Sequence, residues 1–213
     1  MGISAKVRPR KKLEPGKGVQ SVALTLPEEV RLGVTHEDFQ RLCRENPELR
    51  LERTADGELI AMAPAGGDSG RSNAKLTARL VGWAEADGTG EAFDCATGFI
   101  LPNGAIRAPD AAWIPRTKWD SLTTAQRRGF LPLCPDFAVE LRSPSDAVAE
   151  LRRKMKEYIA QGTRLAWFID PDRGKAEIYR PGRPVEVLDR PATLSGEDVL
   201  PGFVLDLKGI LFD

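Results

Sequence analysis

Two acidic residues stand in apolar stretches that would leave a bare carboxylate unstable. Glu140 lies in Pro135-Asp136-Phe137-Ala138-Val139-Glu140-Leu141-Arg142-Ser143-Pro144-Ser145-Asp146, which reads as a short strand followed at once by a helix start. On a strand, Val139 and Leu141 point to the face opposite Glu140. Asp110 has a similar setting, Ala108-Pro109-Asp110-Ala111-Ala112-Trp113-Ile114. A carboxylate near a core needs a charged partner or a metal. Two acids on neighbouring apolar strands can converge within the ~2–2.6 Å reach of one Mg²⁺ or Ca²⁺. Such an ion acidifies a bound water and neutralises charge growing on phosphoryl oxygens, the needs of phosphodiester cleavage. A nearby lysine would add positive charge and orient the nucleophile.

Lys154 is the candidate for that cation. Its helix carries Val148, Leu151, Met155 and Tyr158 as the inward stripe, with Arg152, Arg153 and Lys156 facing outward. Lys154 lies beside the stripe, and its stem can run along the core edge. Each residue also has a plainer reading. Asp110 follows a proline and could bond to a turn, Glu140 could pair with Arg142 on its own strand face, and Lys154 could pair with Glu150 or Glu157. Glu52 is a further acid that could join the site, or simply be solvated on a hairpin arm. Asp136 reads as a turn residue. Ser143 reads as part of a helix cap, because no base stands near to activate it. The four tryptophans read as core or interface, and Arg127-Arg128 as a solvated pair or a substrate loop.

The elements that must position these residues follow from pattern. Thr35 caps a short helix bearing Phe39, Leu42 and Cys43. Residues 49–63 read as a hairpin turning at Asp56-Gly57. Ser69 or Ser72 caps a helix running to about Ala86, with Leu76, Leu80, Val81 and Trp83 as its apolar surface. Phe99–Leu101 and Ile106–Ile114 read as a second hairpin about Asn103-Gly104, and 115–134 as an irregular, partly helical excursion. The strand 137–141, a helix from about Asp146 to Gln161 and the strand 164–169 form one crossover, which implies a parallel pair. A last hairpin joins Ala176–Tyr179 to Val185–Leu188. The expected fold is α/β (α+β mixed): a mixed, twisted β-sheet flanked by helices.

Composition narrows the classes. The 213 residues are 41% hydrophobic and 29% charged, as expected of a globular chain. Net charge is zero, but Lys6, Arg8, Arg10, Lys11, Lys12 and Lys17 against Glu14 make residues 1–20 net +5, and the rest net −5. We expect residues 1–25 to form a basic, disordered tail and 26–213 a single domain. No apolar run reaches the ~18 residues of a membrane helix, and the start lacks the apolar segment of a signal peptide. Cys43, Cys95 and Cys134 are far apart and odd in number, which argues against a disulfide framework and structural zinc. A reducing, cytoplasmic setting fits. With His36 the only histidine, multi-histidine metal sites are excluded, and a catalytic triad would depend on a residue at a helix start.

The ordered set formed by Asp110 after Pro109, Pro135-Asp136 leading to Glu140, Ser143-Pro144-Ser145-Asp146, Lys154, Tyr158, Gly162 and Trp167-Phe168-Ile169-Asp170-Pro171 resembles the Uma2 family. The segment Glu52…Asp56-Gly57-Glu58-Leu59-Ile60…Met62-Ala63-Pro64 is similar to that family's N-terminal hairpin. The resemblance covers about residues 35–207. It implies a restriction-endonuclease-like core of the PD-(D/E)XK superfamily, with Asp110 and Glu140 as metal ligands, Mg²⁺ or Mn²⁺ as cofactor, DNA as substrate and a homodimer as the assembly. The superfamily's usual lysine, two residues after the glutamate, is Arg142 here, and the resemblance implies that Lys154 takes over its role. Where family members often carry a histidine, this chain has Asp68-Ser69-Gly70-Arg71.

Two readings from different classes therefore stand. One is a divalent-metal endonuclease using Asp110, Glu140 and Lys154. The other is a catalytically inactive nuclease-fold protein acting as a binding or scaffold module, which Arg142 and the net negative charge beyond residue 20 favour.

Overall fold

The computed structural model describes residues 33–62 and 64–212. The basic tail expected over residues 1–25 lies outside them. The described residues fall into two compact units that divide between Met62 and Ala63.

In the first unit, helix α1 spans His36–Glu45. Thr35 caps it as expected: its hydroxyl oxygen accepts the Asp38 N–H at 3.1 Å. Strands β1 (Arg50–Arg53) and β2 (Leu59–Met62) pair antiparallel. Gly57 turns between them at φ +89°, a conformation that favours glycine.

In the second unit, helix α2 spans Gly67–Asp87. Its N-cap is Gly66, which has no side chain to offer, so neither Ser69 nor Ser72 caps it. Ser72 instead lies inside the helix, buried in line with Leu76, Leu80 and Ala84. Strand β3 (Gly90–Asp94) follows, then a short hairpin of β4 (Phe99–Ile100) and β5 (Ile106–Arg107). The expectation of one continuous strand to Ile114 needs correction. The chain leaves its β4 partner after Arg107, bends at Asp110, and enters β6 (Ala111–Pro115), which pairs with β3 instead. Pro109 has no N–H to donate, so a ladder cannot run unbroken through it.

Helices α3 (Arg116–Ser121) and α4 (Thr124–Arg127) fill the excursion. They are followed by β7 (Phe137–Leu141), α5 (Val148–Gln161) and β8 (Leu165–Asp170). The chain closes with β9 (Lys175–Tyr179), β10 (Glu186–Asp189), β11 (Thr193–Ser195) and β12 (Val204–Asp206). Helix α5 starts two residues later than expected. Asp146 is used first, its carboxylate accepting from the Ser143 N–H and hydroxyl, both at 2.8 Å. Gly162 ends α5 at φ 115°.

The main sheet has the order β10-β9-β8-β7-β6-β3. Strands β7 and β8 run parallel and the other pairs antiparallel, so the expected crossover through α5 is present. Residues alternate between two cores. Phe137, Val139, Leu165, Trp167 and Ile169 face α2 and the segment from Leu194 to Leu211. Ala112, Ile114, Ala138, Ala166 and Phe168 face Met155 and Tyr158 of α5.

Candidate active site

Strand register sets the two candidate acids at the same end of neighbouring strands. Ala111 pairs with Val139, Ala112 with Ala138 and Trp113 with Phe137. Asp110 stands one residue before this ladder, at the bend that enters β6, beside the end of β7 that carries Glu140 and Leu141. The Leu141 N–H donates to Asp110 Oδ2 at 2.8 Å. Asp110 Oδ1 accepts from Asn73 Nδ2 on α2 at 2.9 Å. Thr77, one turn along α2, donates its hydroxyl to Asn73 Oδ1 at 3.2 Å, which orients the amide.

Glu140 is 4% exposed. Its Oε1 receives two donors from α5: Lys154 Nζ at 2.8 Å and the Tyr158 hydroxyl at 2.9 Å. Both reach it because positions 154 and 158 are one turn apart on the helix face that meets β7. Tyr158 is fully buried and the Lys154 side chain only 12% exposed. The ammonium also stands 5.9 Å from the Tyr158 ring centroid. Lys154 is thus no surface lysine bound to Glu150 or Glu157. Among the described contacts, Glu150 pairs with Arg153, and Glu157 accepts from Arg107 and Asn103.

Arg142 is not the partner of Glu140. Its Nη1 bonds Asp170 and Asp172, each at 3.0 Å, and its Nε reaches the Asp146 carbonyl at 3.3 Å. The hydrogen bond to Asp170 raises the guanidinium pKa further above its ordinary value. Asp170 in turn caps the short turn after β8, accepting the Arg173 N–H. Arg142 is therefore committed to stapling that turn to the end of β7.

Of the remaining candidates, Asp136 is buried and paired with Lys118 at 2.6 Å. Ser143 belongs to the turn before α5. Glu52 is buried on β1 of the first unit. Arg127 lies over the Trp119 ring at 4.6 Å. Sequence reasoning missed Asn73, whose only signal was a polar side chain one position from the apolar stripe of α2. It also read Tyr158 as core alone, whereas the buried hydroxyl is bonded to Glu140.

As a donor set, two carboxylates suit a hard cation completed by waters, the usual habit of Mg²⁺. Among the described residues, no group of three or more His, Cys, Asp or Glu gathers as zinc-type or fully protein-caged sites require. No described helix is long and apolar enough to cross a membrane.

Comparison with known proteins bears on the family and the fold. A family model described as "Putative restriction endonuclease" matches residues 36–208. A solved structure described as a "putative nuclease belonging to DUF820" from Anabaena variabilis ATCC 29413 superposes with a TM-score of 0.65 at 18% identity, over 79% of this chain and 96% of that one. At that identity the likeness bears on the fold. No curated protein matches the chain. Family and fold together support a nuclease-like function.

Proposed function

This chain belongs to the Uma2 family, and we propose that it hydrolyses DNA phosphodiester bonds with one divalent cation, Mg²⁺ or Mn²⁺, held by Asp110 and Glu140. The observation that supports this reading is that Asp110 accepts the N–H of Leu141, the residue after Glu140, while Lys154 bonds Glu140. A cation held there would supply charge for the phosphoryl oxygens and lower the pKa of a water.

The chain's own residues divide the remaining work. Asn73 and the Leu141 N–H fix both oxygens of Asp110. Tyr158 fixes Oε1 of Glu140, so neither carboxylate has to reorganise during reaction. Lys154 holds a positive charge at the site without the rigid fork of arginine, and its flexible stem lets the ammonium turn from Glu140 toward a phosphate or a water. Arg142, bound to Asp170 and Asp172, takes no part.

The test is cleavage of supercoiled and linear DNA by the full chain with Mg²⁺ or Mn²⁺, against EDTA. Metal-dependent cleavage lost in Asp110→Asn and Glu140→Gln supports the reading, and cleavage that survives EDTA or either variant discards it. The scaffold alternative draws on one specific observation, that Lys154 already neutralises Glu140. Calorimetric titration separates the two, because a scaffold gives no saturable Mg²⁺ or Mn²⁺ site dependent on Asp110.

A further inference from the structure

At the far end of the main sheet from Glu140 lies a cleft of about 260 Å³, lined by three arginines and two acids. Arg164 leads into β8, whose first residue, Leu165, pairs with Phe137 at the start of β7. Arg180 follows the last residue of β9. A turn through Pro181 and Gly182 then brings Arg183 back, its N–H bonding the Arg180 carbonyl at 3.4 Å. Glu197 and Asp198 supply the acids.

The three arginines are held very differently. Arg180 is committed to structure: its Nε bonds both Glu197 oxygens at 2.9 Å, and its Nη2 reaches Glu197 at 2.6 Å and Glu186 at 2.8 Å. That fork, with the Ser195 hydroxyl oxygen accepting the Glu197 N–H at 3.2 Å, holds Glu197 at φ +55°. A left-handed backbone at a residue other than glycine is strained, and such strain gathers at binding sites. Arg164 makes one ion pair, Nη2 to Asp198 at 3.0 Å, in which the Asp198 side chain is 81% exposed and that of Arg164 48%. A pair so open to water is weak and exchangeable. Arg183 is exposed, and its side chain has no ionic partner among the described residues. The cleft therefore offers one uncommitted guanidinium and one loosely held, beside a wall fixed by the third.

Guanidinium groups take phosphate through paired N–H donors, and two of them suit a dianion. We propose that this cleft binds a dianionic phosphate, free or as the end group of a phosphomonoester, between Arg164 and Arg183. Asp198 releases Arg164 as the anion enters.

The test is calorimetric titration of the full chain with inorganic phosphate, in EDTA so that no cation at Asp110 and Glu140 can hold the ion. We expect one saturable site with a Kd of about 1 mM or below. Arg164→Gln and Arg183→Gln should each weaken it roughly tenfold, the worth of a hydrogen bond to a charged group. Asp198→Asn should tighten it about threefold, because Arg164 then loses its exposed competitor. Ion pairs with a purely structural role predict no such gain. Thermal unfolding of each variant verifies that it folds. A nucleoside 5′-monophosphate in place of the ion separates the two sources: tighter binding assigns an ester, equal or weaker binding the free ion. The proposal is overturned by a parent chain with no saturable binding up to about 10 mM, ten times that Kd. Arginine variants that bind like the parent, or an Asp198→Asn variant that binds no tighter, overturn it equally. None of these measurements depends on metal or DNA, so they stand or fall apart from the functional reading.

Discussion

Two glutamates on the face covered by α5 have nearly the same ingredients and opposite fates. Glu140 on β7 and Glu177 on β9 are both about 95% buried, and both are register neighbours of Phe168 on β8. Each receives a basic residue from α5 and a tyrosine hydroxyl. Glu177 meets Arg152, whose Nε lies 2.9 and 3.1 Å from its two oxygens and whose Nη2 lies 2.5 Å from Oε1, while the Tyr179 hydroxyl closes Oε2 at 2.7 Å. That is a closed arginine–carboxylate fork, with every nearby acceptor used. Glu140 meets a lysine and a tyrosine that converge on Oε1, and its chain neighbour Leu141 donates its N–H to Asp110. The fork fixes structure. The lysine pair closes no such fork on Glu140, and under the proposed function a carboxylate not locked in a fork is what a metal ligand needs.

Substitutions can sharpen this contrast. Glu140→Gln keeps an acceptor for Lys154 and Tyr158 while removing the charge. We expect DNA cleavage to fall at least ~10³-fold, about 4 kcal/mol of barrier, with a thermal midpoint near the parent's. Lys154→Met should lower cleavage about 10²-fold, and Lys154→Arg should not restore it, because a guanidinium fork would close Glu140 as Arg152 closes Glu177. Single-turnover rates at saturating metal measure both. Arg152→Met should do the reverse. It leaves Glu177 buried with only a tyrosine, and because Arg152 is half exposed the cost is reduced to about 2 kcal/mol. Urea unfolding would show that loss, and activity per folded molecule would stay unchanged.

The smallest effect is alkaline. Burial first, then the bond to Glu177, raises the Tyr179 phenol above its ordinary pKa. The folded chain therefore keeps a proton that the unfolded chain loses near pH 10. The resulting stability is complete below about pH 10 and declines as pH rises beyond it. Tyr179→Phe should flatten that decline in urea midpoints taken from pH 8 to 11.

Much of this arrangement could be read from the chain because its signals are local. The alternation around Glu140, the stripe Val148–Leu151–Met155–Tyr158 and the crossover to Leu165 each follow from side-chain periodicity over a few residues. Asp110 and Glu140 stood out together through their matching apolar settings. What stayed hidden depends on distant partners. Asn73 meets Asp110 across 37 positions of sequence, and Arg142 finds Asp170 and Asp172 rather than its strand neighbour Glu140. The departure of β6 from β5 turns on a single proline. Strands β11 and β12 are three residues each, with only Leu194 and Leu205 buried, too short for alternation to declare them.

The cross-strand row through Glu140, Phe168 and Glu177 ends at Val187 on the edge strand. Glu140 and Glu177 are thus two strand spacings apart, about 10 Å, with the buried Phe168 between them. A charge change at either acid reaches the other only across an apolar gap, so the structural fork and the lysine pair can be altered separately.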